Sequence, residues 1–231
     1  MGDFLLWFGG IVVFIIIVGL FAARKSKKKR RLYEQIAPQI GFKINPDRSG
    51  YIESPPQDLL DGFRRLPMGK YHTHNKSFSF ILIREEKERN TYIFDFWERK
   101  HSSSGVPAEK FTAFLMNSSK CNVPKFVIWP KRKKHLFQRF QSKDIQIEPG
   151  EINTYHTLNG HDEEAIKKLF SQRSINAYFS KKTGLYVEGS ANTIACYRLG
   201  EDIPPHDLFS FNKKSDDIFS LFEGAQGPMI P

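Results

Sequence analysis

The chain has 231 residues, 40% hydrophobic and 26% charged, with 21 Phe and 8 Tyr, which is enough for one large folded body or two small ones. Its net charge of +10 is concentrated: setting aside the seven basic residues within 24–31 and Asp3 leaves 28 basic against 24 acidic. A balanced remainder, with no basic face interleaved with aromatics and no recognisable module, argues against nucleic acid as a partner. Two cysteines, Cys121 and Cys196, are too few for a disulfide framework and fit reduced thiols.

In chain order, a short exterior segment (1–3) precedes twenty residues without a charge, 4–23, reading FLLWFGGIVVFIIIVGLFAA. At about 1.5 Å per residue such a helix reaches about 30 Å, the thickness of a bilayer's hydrocarbon core. Seven basic residues follow, Arg24, Lys25, Lys27, Lys28, Lys29, Arg30 and Arg31, while Asp3 alone precedes it. Because cytoplasmic flanks are enriched in Lys and Arg, the expected topology is single-pass, with the amino terminus outside and the body cytoplasmic. The same seven side chains are the expected contacts to anionic headgroups of the lipid bilayer. A cleaved signal peptide fits poorly, because its positive charges would lie before the apolar stretch.

Residues 24–41 read as a juxtamembrane stalk, with Leu32, Ile36 and Ile40 at helical spacing and Gly41 as its stop. The body is divided into a first half, 42–150, a second half, 151–224, and a tail, 225–231. Ser54-Pro55-Pro56 opens a short helix with Leu59, Phe63 and Leu66 on one face. The period then changes to two: 77–83 and 91–97 predict an antiparallel hairpin across a charged turn, and 110–116 a third strand. Residues 126–129 form a short buried run, 131–140 a basic helix or loop, and Pro149-Gly150 a turn.

In the second half, 152–158 reads as a strand, Asn159-Gly160 as a turn and 162–172 as a helix with acids first and lysines later. Residues 176–180 and 185–188 predict a second hairpin and 193–199 another strand, followed by short helices from Pro204-Pro205 to Gly224. Strands and helices are grouped rather than alternating as βαβ units. The expected class is therefore α+β, one N-terminal transmembrane helix followed by an antiparallel-sheet body with short helices.

The motifs of chemistry are sparse. No phosphate-binding glycine loop, G-x-S-x-G or H-E-x-x-H is present, and no cofactor or metal is expected. Tyr92, Phe94 and Phe96 share one strand face, leaving Asp95 with Ile93 and Trp97 on the other. That places Asp95 on the wet face of a half-covered sheet, or, as the alternative, as a general base in an aromatic pocket. His72, His74, His156 and His161 read as scattered surface histidines. The leading expectation is a non-enzymatic interaction or scaffold module with a protein partner. One alternative is a membrane-associated hydrolase using Asp95, Cys121, His135 or Glu188. The other is an anionic-lipid sensor using 24–31 and 131–134.

The order of apolar span, basic run, amphipathic helix, Gly41-Phe42 and Tyr92-x-Phe94-x-Phe96 resembles a group of uncharacterised bacterial single-pass membrane proteins. The later run Tyr155-x-Thr157-Leu158-x-Gly160-x-Asp162-Glu163, with Leu169-Phe170, Leu185, Glu188-Gly189 and Tyr197-Arg198, is similar to theirs as well. The resemblance implies the same topology, at a bacterial inner membrane, and a shared cytoplasmic body, with no activity attached.

Overall fold

The computed structural model describes residues 27–46, 54–71, 76–98, 109–131, 144–148 and 151–225, with Trp7, Val13, Phe14, Ile17, Leu20 and Arg24 before them. Most of the apolar stretch 4–23 lies outside the described residues, as do Lys25, the basic segment beyond Lys131 and the Pro149-Gly150 turn. Trp7, Val13, Phe14, Ile17 and Leu20 are helical, and their side chains are 46–76% exposed. Among the described residues, no helix is long and apolar enough to cross a membrane.

The body is α+β, built on one antiparallel eight-stranded sheet. After a helix over 27–36 (α1) and a single 3-10 turn Pro38–Ile40, the chain forms β1 (Lys43–Ile44), α2 (Gln57–Arg65) and α3 (Pro67–Tyr71). Next come β2 (Lys76–Glu86), β3 (Arg89–Glu98), β4 (Glu109–Ser118) and β5 (Val123–Pro130). Beyond them lie α4 (Ile152–Tyr155), β6 (His156–Gly160), α5 (Glu163–Phe170) and α6 (Arg173–Phe179). The chain closes with β7 (Tyr186–Ala191), β8 (Thr193–Tyr197) and α7 (Leu208–Glu223). The strand order is β1-β2-β3-β4-β8-β7-β5-β6. Because β8 pairs with β4 and β7 with β5, the halves drawn at residue 150 share a single sheet.

Alternation in the strands sends side chains to two cores. Phe78, Tyr92, Phe94, Phe96, Phe111 and Tyr197 pack under α2 and α3, with Phe63 edge-on to Phe78 at 5.3 Å between ring centres. On the other face Ile93, Phe114, Phe126, Val187 and Ile194 meet α5, α6 and α7. Tyr33, Ala37, Ile40 and Phe42 belong to this second core, so the expected stalk is part of the body, which does not begin at Phe42. A bulge in β2 shifts the register between Ser79 and Leu82 and holds Phe80 at φ +54°, which brings its ring to 5.4 Å from Tyr33. Among the described residues, α2 and α3 cover one face of the sheet and α1, α5, α6 and α7 the other.

The hairpin of β2 and β3, the third strand and the helix capped by Asp162 follow the sequence pattern. Four stretches do not. The strand expected at 152–158 starts as the helical turn α4, and 176–180 lies in α6, where Ile175 and Phe179 are buried four residues apart. The short helices expected after Pro204 are mainly one sixteen-residue helix, α7, whose Phe211, Ile218 and Phe222 face the sheet. The turn expected at Asn159-Gly160 is the end of β6. There a Cβ on Gly160 would stand 2.3 Å from Ile166 Cδ1 and 2.4 Å from the Lys125 carbonyl. The glycine lets α5 close on the sheet. Gly160→Ala should therefore lower the urea-unfolding free energy by about 1–3 kcal/mol, the usual cost of overpacking; an unchanged midpoint would refute this account of the contact.

Candidate functional site

The cross-strand register of β3 and β4 places Asp95 opposite Thr112, on the face covered by α1. Asp95 is 0% exposed. Charged carboxylates are rarely buried without a partner, because desolvation costs several kcal/mol per ion. The partners come from three places in the chain. Lys29 of α1 donates to Asp95 at 2.6 Å, Thr112 Oγ1 donates to it at 2.7 Å, and the Lys110 ammonium stands 3.6 Å away. Asp202 approaches from the segment after β8, 2.5 Å from Lys29 and 3.0 Å from Lys110. That segment is fixed by the Thr112 amide on the Glu201 carbonyl and by the Ile203 amide on Thr112 Oγ1.

Two ammoniums thus balance two carboxylates. Lys29 also lies 5.4 Å from the Tyr33 ring centre and 5.3 Å from that of Phe80, a cation over aromatic faces. Burial raises the Asp95 pKa above the ordinary range against the pull of the Lys29 charge, and Asp202 pushes it the same way as burial. Burial acts on Asp202 too, but hydrogen bonds and charge from Lys29 and Lys110 hold that carboxyl below its ordinary value. Among the described basic residues expected at the headgroups, Lys29 is turned into the body, 14% exposed. Arg30 reaches along the helix to Glu34 at 3.4 Å, and Arg24, Lys27, Lys28 and Arg31 are exposed.

The expectation of a solvated Asp95 is therefore overturned, and the aromatic pocket is not its environment either, since its ring neighbours in sequence point to the opposite face. The other candidates stand apart. Glu188 lies on the α3 side of the sheet, where it accepts from the Tyr197 hydroxyl at 2.6 Å and the Met68 amide at 2.8 Å. Cys121 follows Ser118, six residues along β4 from the partner of Asp95, or about 20 Å. Burial pushes the Cys121 thiol up to about 12, away from the thiolate a nucleophile needs. His135, His72 and His74 lie outside the described residues. His156 is buried against Thr183 at 2.9 Å, and burial lowers its pKa to about 4. Among the described residues, no group of three or more His, Cys, Asp and Glu side chains is placed to hold a metal ion.

No family model and no curated protein sequence matches this chain. Among solved structures, the mycobacterial trehalose monomycolate transport factor A, TtfA, is similar over 83% of this chain and 93% of its own, with a TM-score of 0.54 and 12% identity. At that identity the likeness shows the fold.

Two stability experiments follow from these carboxyls. Lys29→Met leaves Asp95 with Thr112 and the more distant Lys110, and Asp95→Asn leaves Lys29 with Asp202 alone, so each should cost up to about 3 kcal/mol, while the double variant should recover much of that loss. Costs that simply add in urea unfolding would show the pair to be uncoupled. For Glu188, burial lifts the pKa from an ordinary 4.5 to about 7, so the folded state holds a proton that the unfolded chain releases earlier. Stability is full below the lower value and falls as pH rises through the higher one. Glu188→Gln should accordingly stabilise the protein by about 1–3 kcal/mol at pH 8 and give little at pH 5. Equal effects at both pH values would refute this.

Proposed function

We propose that the chain is a membrane-tethered, non-catalytic module held in a single-pass topology, amino terminus outside and body on the cytoplasmic side of a bacterial inner membrane. The observation that carries the proposal is the Lys29 clamp. The helix that follows the charge-free stretch and carries most of the basic run is tied to the sheet through a buried carboxylate. An anchor joined in this way positions its body; it does not merely trail it. The acids and thiols that could have served a hydrolase are instead buried in separate structural roles, which favours a scaffold role with a protein partner.

The test is extraction of membranes from cells expressing the full chain with alkaline carbonate. The protein should stay in the membrane pellet, and its carboxy-terminal tag should be cleaved by protease only after the cytoplasmic side is opened. Release into the supernatant would overturn the tether, and cleavage from the outside would overturn the orientation.

A further inference from the structure

The direction of α1 is fixed at two levels. Near its start Lys29 meets Asp95 and Phe80, and beyond its end Arg84 sits 4.7 Å over the Phe42 ring while Lys43 pairs with Ile83. The helix therefore runs along β2, and its amino-terminal end points to the sheet end made by the start of β2, the end of β3 and the start of β4. Trp97, two residues past Asp95 on the same sheet face, is partly buried and lies about 7 Å nearer that end.

Helical spacing divides the basic run. Arg24, Lys27, Lys28 and Arg31 recur at i, i+3, i+4 and i+7 on an exposed face, opposite the docked Lys29, Tyr33 and Ala37. From Ala23 to Lys29 there are six residues, which cover about 9 Å as helix and no more than about 20 Å fully extended. A tether that short leaves the sheet end little room. Were that stretch helical throughout, Lys29 would stand about 9 Å beyond the hydrocarbon and Trp97, about 7 Å nearer, would fall in the polar interface, a layer about 5–8 Å deep where Trp side chains concentrate.

Building on the anchored topology proposed above, we infer that the sheet end bearing Trp97 rests in the headgroup layer of the same bilayer, with Arg24, Lys27, Lys28 and Arg31 against its anionic lipids. Glu98 and Glu109 stand opposite each other at the strand ends, so the positive complement comes from the helix and Trp97 supplies the aromatic one. The body lies on the membrane surface in one orientation set by the Lys29 clamp.

The experiment uses the full chain in phosphatidylcholine–phosphatidylglycerol vesicles, with Trp7→Phe and Trp129→Phe leaving Trp97 as the sole tryptophan. Lipids spin-labelled at the headgroup should quench its fluorescence roughly twofold more than lipids labelled at the acyl terminus, as an interfacial ring requires. Lys29→Met should remove that preference. Weak quenching by both labels in a chain that resists carbonate overturns this inference alone; a chain released by carbonate overturns the tether beneath it as well. Where the paired Trp substitutions disturb folding, a benzophenone side chain replacing Trp97 in the otherwise unaltered chain gives a second readout. It should cross-link to phospholipid, and adducts to protein alone would overturn the inference.

Discussion

One buried charge organises this protein. Asp95 sits at 0% exposure on the sheet face beneath α1, and a carboxylate in that position is tolerable only with its counter-charges in place. Lys29 is the nearest of them, delivered from a helix 66 residues before Asp95 in the chain. Lys110 and Asp202 complete a balanced set, and Thr112 holds the second oxygen of Asp95. Such a cluster contributes modestly to net stability compared with an apolar replacement, but it penalises every other placement of the helix. Its effect is on geometry, and geometry is what a tethered body requires.

The surrounding packing serves the same end. Tyr33 and Ala37 bury the underside of α1 against the second core, and the bulge at Phe80 turns a ring toward Tyr33 that a regular strand would have placed elsewhere. On the same face, α7 is tied to β2 and β4 by Arg84 to Asp216 and by Ser118 Oγ donating to Glu223 at 2.7 Å. The face around Asp95 is thus closed by elements from both ends of the chain, which explains why the halves on either side of residue 150 make one body.

Much of this fold was legible in the residues. Period-two runs placed β2, β3 and β4, and Asp162 with its acidic first turn and later lysines marked α5. The misread elements are short and locally ambiguous. Residues 176–180, with Tyr178 and Phe179 adjacent, read as strand, yet Ile175 and Phe179 are the buried pair, a spacing of four that five residues cannot distinguish from chance. Gly160 carried a turn signature while its real constraint is the approach of Ile166. The site was less legible. Alternation separated Asp95 from the aromatic face but could not say what covers its own face, because that depends on partners 66 residues before it and later in the chain. Within seven neighbouring cations nothing local singles out Lys29. Only the helical phase set by Tyr33 and Ala37, once those are seen to be buried, turns it inward.

The central claim is that the clamp fixes α1 to the body in one arrangement. The most direct measurement is the distance distribution between spin labels at Lys28→Cys and Lys182→Cys in the full chain; the native Cys121 and Cys196 are buried and resist labelling. The account predicts a single narrow distance that broadens when Lys29 is replaced by Met. A broad distribution in the otherwise native chain, or a narrow one that Lys29→Met leaves untouched, would contradict it.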